Sequence, residues 1–192
     1  MKTPTIMKKL LTATILIFFS SITFAQLTAD KITVVIKAGT FTINKAVVTD
    51  GWRKDVVSVE LGANARRRAG YNTTHTYDNL GIVLFEKNDT TNLPSGTISE
   101  IQFYTSTPDT AANAVKPVGG IFTGKIQIDG FTVSSKLTWQ QIKAGLKDYK
   151  LTESYTLHNF RLSYKGLYIY FLFNEEETTL KKISVGVDKR DR

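Results

Sequence analysis

The sequence contains no recognisable motif of a catalytic site. It has no cysteine and two histidines, His75 and His158. A zinc site needs three or four clustered ligands, and the sequence lacks an H-E-x-x-H pattern, as well as the patterns of hydrolases and nucleotide-binding loops. We therefore expect a protein that is not an enzyme, with no metal and no cofactor. We interpret both histidines as strand residues opposite apolar partners; their use as metal ligands or bases is the alternative.

A run of three arginines follows the first predicted helix. Guanidinium groups bind phosphate, sulfate or lipid head groups through paired hydrogen bonds, so Arg66, Arg67 and Arg68 form a candidate anion-binding loop. A solvated basic loop without a ligand is the alternative interpretation.

The other candidate site lies on a β-hairpin predicted around Lys165 and Gly166. A two-residue turn at this point pairs Tyr164 with Leu167 and leaves an apolar face for the core. The opposite face then carries Arg161, Ser163, Tyr168 and Tyr170. Tyrosine and arginine are enriched in binding surfaces, so we predict a binding patch formed by these four residues. The alternative is that this face packs against another part of the chain.

The elements that position these residues follow a pattern that occurs twice. The stretch FTINKAVVTDGW from Phe41 and the stretch FTVSSKLTWQQI from Phe131 share their apolar positions. In both halves the pattern predicts two strands, a helix and a three-stranded meander. The predicted helix faces are positions 52, 56 and 59, and positions 142, 146 and 149. The sequence therefore predicts an α+β fold of two tandem β-β-α-β-β-β repeats, with helices packed on antiparallel sheet.

Turn and cap residues mark the boundaries of these predicted elements. Asp78-Asn79, Asp129-Gly130 and Lys165-Gly166 are typical of two-residue hairpin turns, because these residue types tolerate positive φ. Thr138 and Gln141 have the spacing of a capping box at the start of the second helix. Thr49 or Asp50 is expected to cap the first helix, and Gly62 to end it.

The amino terminus has the three-part pattern of a secretory signal: lysines, a short apolar run, and small residues up to Ala25. We predict a signal peptide over residues 1–25, repeat unit one over 26–104, a linker over 105–120 and repeat unit two over 121–192. An uncleaved anchor is the alternative, but the apolar run is shorter than the ~20 residues that span a bilayer. We therefore expect a periplasmic or secreted protein, without a membrane span after cleavage and without a cysteine for lipid attachment.

The charge of the chain is moderately basic. The formal net charge is +8, and the first 25 residues hold three of the 25 basic residues and no acidic residue, which leaves 22 basic against 17 acidic residues. This balance favours contact with acidic surfaces. Nucleic acid is not expected as a partner, because the protein is predicted to be exported.

The helix followed by Y-x-x-L-x-I-x-F, as in YKGLYIYFLFNEE from Tyr164, resembles the repeats of β-lactamase inhibitory proteins and small outer-membrane assembly lipoproteins. The segments YDNLGI and PVGGIFTGKIQIDG are similar to exported bacterial (Bacteroidetes-like) domains of unknown function. These resemblances imply a helix-on-sheet fold. The patch favours an exported, non-enzymatic binding or inhibitor-like protein that acts on an unknown protein or envelope component through a sheet surface. The alternatives are a cell-envelope structural or assembly factor, and a hydrolase with an unrecognised site.

Overall fold

The computed structural model describes residues 27–62, 65–107 and 118–188. The predicted signal peptide and most of the predicted linker lie outside these residues. The first half of the chain forms the elements β1 Thr33–Lys37, β2 Thr40–Ile43, β3 Ala46–Val47, α1 Lys54–Leu61, β4 Arg66–Arg68, β5 Asn72–Tyr77, β6 Ile82–Asn88 and β7 Pro94–Tyr104. The second half forms β8 Lys125–Ile128, β9 Phe131–Val133, α2 Trp139–Gly145, β10 Leu151–Glu153, β11 Asn159–Tyr164, β12 Leu167–Phe173 and β13 Leu180–Val187.

The strands form two sheets, and each sheet takes strands from both halves of the chain. The small sheet has the order β3-β2-β1-β8-β9, and its central pair, β1 and β8, is parallel. The large sheet has the order β10-β11-β12-β13-β7-β6-β5-β4, and its central pair, β7 and β13, is antiparallel. Neither half therefore has a sheet of its own.

The predicted α+β fold of two tandem repeats is wrong. The described part of the chain is mostly β, and its two α-helices are short, with 8 and 7 residues. Local apolar periodicity predicts the type of an element but not its partner in a sheet, and here the decisive pairings join strands about ninety residues apart. The strands that the prediction placed in separate units instead complete each other's sheets.

The predicted face of the first helix is also wrong. The backbone has positive φ at Gly51 and Trp52, so α1 begins only at Lys54. Its N-cap is Arg53, whose side chain makes no capping hydrogen bond, and the predicted cap at Thr49 or Asp50 is wrong. The helix then buries Val57 and Leu61, while Val59 is 81% exposed. In α2 the predicted capping box of Thr138 and Gln141 is confirmed. The helix buries Trp139 and Ile142.

A single hydrophobic core joins both sheets and both helices. Ile36 and Phe41 come from the small sheet, and Ile101 and Phe171 from the large sheet; all four are fully buried. Trp139 of α2 lies parallel to a ring of the large sheet, with 3.7 Å between the centroids of Trp139 and Phe160. In the described part of the chain, none of the helices is long and apolar enough to cross a membrane.

Two of the three predicted hairpin turns are confirmed. Lys165-Gly166 and Asp129-Gly130 both have positive φ and connect strands that pair directly across the turn. The predicted turn at Asp78-Asn79 is wrong, because Tyr77 pairs with Ile82 across a four-residue connection. The longer connection buries Leu80 in the core. It also places Gly81 beneath a crossing segment, where a Cβ atom would lie 2.3 Å from the Phe122 nitrogen.

Candidate binding surface

The predicted register of the second hairpin is confirmed, and it places the candidate patch on the outer face of the large sheet. Across the strands, Arg161 lies opposite Tyr170, and Ser163 lies opposite Tyr168. The alternate positions on these strands, such as Leu162 and Ile169, are fully buried in the core. We call the outer surface of the four neighbouring strands β11, β12, β13 and β7 the tyrosine face. It consists of Asn159, Arg161, Ser163, Tyr168, Tyr170, Lys182, Ser184, Glu100, Gln102 and Tyr104.

Tyr168 lies flat against the sheet and links the two halves of the chain. Its ring covers Gly186 of β13, where a Cβ atom would come within 2.3 Å of the ring. Its hydroxyl donates a hydrogen bond of 2.6 Å to Oε2 of Glu100 on β7. Burial and this bond to a carboxylate raise the pKa of Tyr168. The ring is therefore fixed in place before any ligand binds.

Arg161 lies between the two tyrosines and an acidic group. Its guanidinium forms an ion pair with Asp188, which also accepts a hydrogen bond of 3.3 Å from the hydroxyl of Ser163. The guanidinium carbon lies 5.7 Å from the centroid of the Tyr168 ring and 5.6 Å from that of Tyr170. Both distances are within the range of cation–π attraction. Contacts with Asp188, Tyr168 and Tyr170 therefore fix the orientation of the Arg161 side chain.

Two polar atoms beside Tyr170 have no hydrogen-bond partner in the described part of the chain. They are Nε of Arg161, a donor, and Oδ1 of Asn159, an acceptor, and both are buried. An unsatisfied buried polar atom costs roughly 1–3 kcal/mol, so such atoms are uncommon and call for an explanation. Both atoms are closed off from solvent in this arrangement.

On the other side of Tyr170 the face is a network of polar groups. Gln102 donates to Oε1 of Glu100 at 2.6 Å, and the hydroxyl of Tyr104 donates to Oε1 of Gln102 at 2.9 Å. Nζ of Lys182 lies 5.7 Å from the centroid of the Tyr104 ring. Burial lowers the pKa of Lys182, and the nearby carboxylate of Glu100 opposes this effect. Burial also raises the pKa of Tyr104.

Two open clefts meet at Tyr170. A cleft of about 420 Å³ lies beside Arg161 and Tyr168, and a cleft of about 280 Å³ lies beside Leu172 and Lys182. The hydroxyl of Tyr170 makes no hydrogen bond to the described residues. Tyr170 therefore presents an aromatic ring and an available hydroxyl between two depressions.

The four residues predicted for the patch are brought together, and sequence reasoning missed their neighbours. Ser163 is exposed, and Arg161, Tyr168 and Tyr170 are partly exposed. The missed residues come from β13, β7 and the segment after β13: Lys182, Ser184, Glu100, Gln102 and Asp188. Strand alternation in TISEIQFY and TLKKISVG places the first four of these residues on a polar face, but only the pairing of β7 with β13 brings the β7 residues beside the hairpin.

The three predicted anion-binding arginines form edge strand β4 rather than a loop, and they do not converge. Arg66 and Arg68 line a cleft on the outer face of the sheet, whereas Arg67 lines a different cleft beside α1. Arg66 donates to both carboxylate oxygens of Asp78, at 2.9 and 3.0 Å. This contact raises the pKa of Arg66. The alternation of side chains along a strand separates groups that a loop could have gathered.

The two histidines lie in different environments. His75 is a buried strand residue opposite Leu84, as interpreted from the sequence, and its Nε2 is 2.6 Å from Oε2 of Glu86. Oε1 of Glu86 accepts a hydrogen bond from the Gly96 amide at 2.6 Å. His158 is not in a strand: it precedes β11 with positive φ, and its Nδ1 lies 3.2 Å from Oε1 of Glu177. Within the described ranges, no group of three or more His, Asp or Glu side chains is arranged to hold a metal.

Comparisons with other proteins give a family match and a distant structural neighbour. A family model described as a domain of unknown function (DUF7738) matches residues 33–143, which run from β1 into α2 and make up more than half of the chain. No curated protein matches the sequence. Among solved structures, a DUF4309 family protein (YjgB) from Bacillus subtilis subsp. subtilis str. 168 is a distant neighbour. It has 11% sequence identity and a TM-score of 0.41, over 76% of this chain and 84% of that chain.

Proposed function

We propose a binding function for this chain, which belongs to the DUF7738 family of domains of unknown function. The partner contacts the tyrosine face. The observation that carries the proposal is that Arg161, Tyr168 and Tyr170 are held by contacts on one side and remain partly open to solvent on the other. Such a surface binds without first ordering its own side chains.

Physical chemistry explains why this arrangement suits binding. Tyrosine brings a large contact area with two rotatable side-chain bonds, so little rotamer entropy is lost when a partner binds. Arg161 and Tyr168 are already fixed by Asp188 and Glu100, and this preorganisation lowers the cost of association further. The clefts on both sides of Tyr170 offer complementary depressions for the partner.

The proposal includes export of the protein, with a mature chain that begins near Gln26. The support is the lysine-rich start, the short apolar run and the small residues before position 26. Amino-terminal sequencing of the protein recovered outside the cytoplasm tests this part. A recovered chain that retains residues 8–24 would show that the segment is not removed.

The binding proposal is tested with substitutions that leave the core intact. We expect Tyr170→Ala, and the double change Tyr168→Ala with Tyr170→Ala, to abolish retention of the natural partner from an envelope fraction of the host. Tyr71→Ala is the matched control, because Tyr71 lies in the connection between β4 and β5 and is 96% exposed. Circular dichroism shows whether each variant is folded. Unchanged retention by folded Tyr170→Ala and by the folded double variant would refute the proposal.

A further inference from the structure

We infer that the tyrosine face is part of a longer groove that binds an acidic oligosaccharide. The inference rests on the proposed binding function and names the chemical class of the ligand. It is carried by three observations: the continuity of the clefts, the uneven distribution of charge along them, and the pairing of every strand beneath them.

The clefts on the outer face are continuous with a third cleft at the end of the sheet. The clefts of about 280 and 420 Å³ share Tyr170. The second of these shares Lys87, Val187 and Asp188 with a cleft of about 490 Å³ that reaches Trp52. Between Leu172 and Leu167, β12 alone spans about 17 Å at ~3.4 Å per residue. The groove is therefore long enough for an extended ligand and longer than a single small molecule requires.

Charge is balanced on the tyrosine face and positive towards the Trp52 end of the groove. On the tyrosine face, Arg161 is paired with Asp188, and Glu100 lies near Lys182. At the Trp52 end, Lys87 and Lys165 line the cleft, and neither has a carboxylate within ion-pair distance among the residues that the structure describes. The Trp52 end attracts an anionic group, whereas the tyrosine face suits a ligand segment without excess charge.

The surface beneath the groove excludes the usual way of binding an extended peptide. Peptides commonly add a strand to a sheet edge through main-chain hydrogen bonds. Here β12 lies between β11 and β13, and β13 lies between β12 and β7, so the backbone groups of both strands are already paired. Recognition must come from side chains, namely aromatic faces flanked by hydroxyl, amide and charged groups. A sugar chain, whose rings have both apolar C–H faces and hydroxyl edges, is complementary to this pattern.

The same charge distribution argues against a single-stranded nucleic acid. Such ligands carry one phosphate per nucleotide and require a positive track along the whole groove, together with stacking platforms. In this groove the positive side chains alternate with the carboxylates of Asp188 and Glu100, so the groove has no continuous positive track. We therefore assign the ligand as an oligosaccharide with carboxylate or sulfate groups, at least one of which is held near Lys87 and Lys165.

The test uses tetrasaccharides of uronic acids, with titration calorimetry of the full mature chain. The panel contains galacturonate, mannuronate and guluronate tetramers, with their methyl esters, which keep the rings but remove the charge. It also contains a sulfated tetrasaccharide and the same tetrasaccharide without sulfate. We expect at least one acidic tetramer to bind and its uncharged or unsulfated counterpart to bind at least tenfold more weakly. The double change Lys87→Gln with Lys165→Gln should weaken the acidic ligand to the same extent. Tyr170→Ala should weaken both forms.

Two substitutions outside the groove serve as controls for these measurements. Lys143→Gln removes an exposed lysine on α2, and Tyr71→Ala removes an exposed tyrosine; neither should change the affinity. The inference is overturned if no acidic tetramer binds, if charged and uncharged tetramers bind equally, or if a polyglutamate peptide or a thymidine oligonucleotide binds more tightly than every tetramer. If Tyr170→Ala loses the natural partner but Lys87→Gln with Lys165→Gln retains it, the binding proposal stands and the acidic-oligosaccharide assignment fails.

Discussion

Asp129 connects the two sheets through a single carboxylate. It lies in the turn between β8 and β9, and its Oδ2 accepts hydrogen bonds from the hydroxyls of Tyr149 and of Tyr164, the latter at 2.7 Å. Its Oδ1 accepts from the Ala38 amide at 3.3 Å. The bonds from Tyr149 and Tyr164 hold the pKa of Asp129 below its usual value, and the bond to Asp129 raises the pKa of Tyr149 to about 12.

Asp129→Asn isolates the charge of this carboxylate, because asparagine also tolerates the positive φ of the turn. We expect a loss of about 1 kcal/mol or less in the free energy of unfolding at pH 7, since the carboxylate is exposed and solvent screens its contacts. The pKa of Asp129 is lower in the folded protein than in the unfolded chain. The contribution of the charge is therefore complete above the ordinary aspartate pKa of about 3.9 and is lost as the pH falls through the folded value.

The measurement is urea unfolding of both proteins between pH 2 and pH 7. The difference in free energy between the native protein and Asp129→Asn should be constant from pH 5 to pH 7 and shrink below pH 4. A difference that stays the same down to pH 2 would mean that the charge of Asp129 does not contribute to stability.

Among the strands, the close contact of β12 and β13 depends on Gly186. The ring of Tyr168 occupies the space that a Cβ atom at position 186 would fill, at 2.3 Å from the nearest ring atom. The backbone of Gly186 does not have positive φ, so the requirement for glycine at this position comes from the packing of the ring. This contact sets the flat orientation of Tyr168 on the tyrosine face.

Gly186→Ala should displace Tyr168 and lower the free energy of unfolding by about 1–3 kcal/mol, the usual cost of overpacking. In the Tyr168→Ala background the ring is absent, so the same substitution should cost much less. Urea unfolding of the four proteins of this double-mutant cycle gives the coupling. Equal costs of Gly186→Ala in both backgrounds would show that the ring does not rest on the glycine.

At the scale of elements, the sequence predicts local features and fails where distant strands must be matched. The turn at Lys165-Gly166 fixes a two-residue hairpin, and the pairing of Arg161 with Tyr170 follows from counting outwards along both strands. The positive φ of Trp52 is not visible in the apolar spacing, and it shifts the start and the buried face of α1. The acidic partners Glu100 and Asp188 could not be assigned, because they reach the patch only through tertiary pairing and the path of the chain after β13.

The whole molecule is one body because both sheets are completed by strands from both halves. β1 pairs with β8 in the small sheet, and β7 pairs with β13 in the large sheet. The buried faces of these strands belong to one hydrophobic cluster. Unfolding either half alone would expose the core-facing side and one hydrogen-bonding edge of the other. Partial unfolding of one half is therefore expected to be costly.

This architecture predicts a single cooperative unfolding transition of the full chain. Each half contains one tryptophan in the core: Trp52 packs against Phe41, with 5.7 Å between ring centroids, and Trp139 packs against Phe160. The variants Trp52→Phe and Trp139→Phe leave one tryptophan each, so fluorescence then reports on one half at a time, and far-UV circular dichroism reports on the sheets. In each variant the fluorescence and dichroism curves should coincide in urea, although the midpoint differs between variants according to the substitution. Two separate transitions within one variant would indicate halves that unfold independently. We expect coincidence, because the strands that fluorescence reports in one half are hydrogen-bonded to strands of the other.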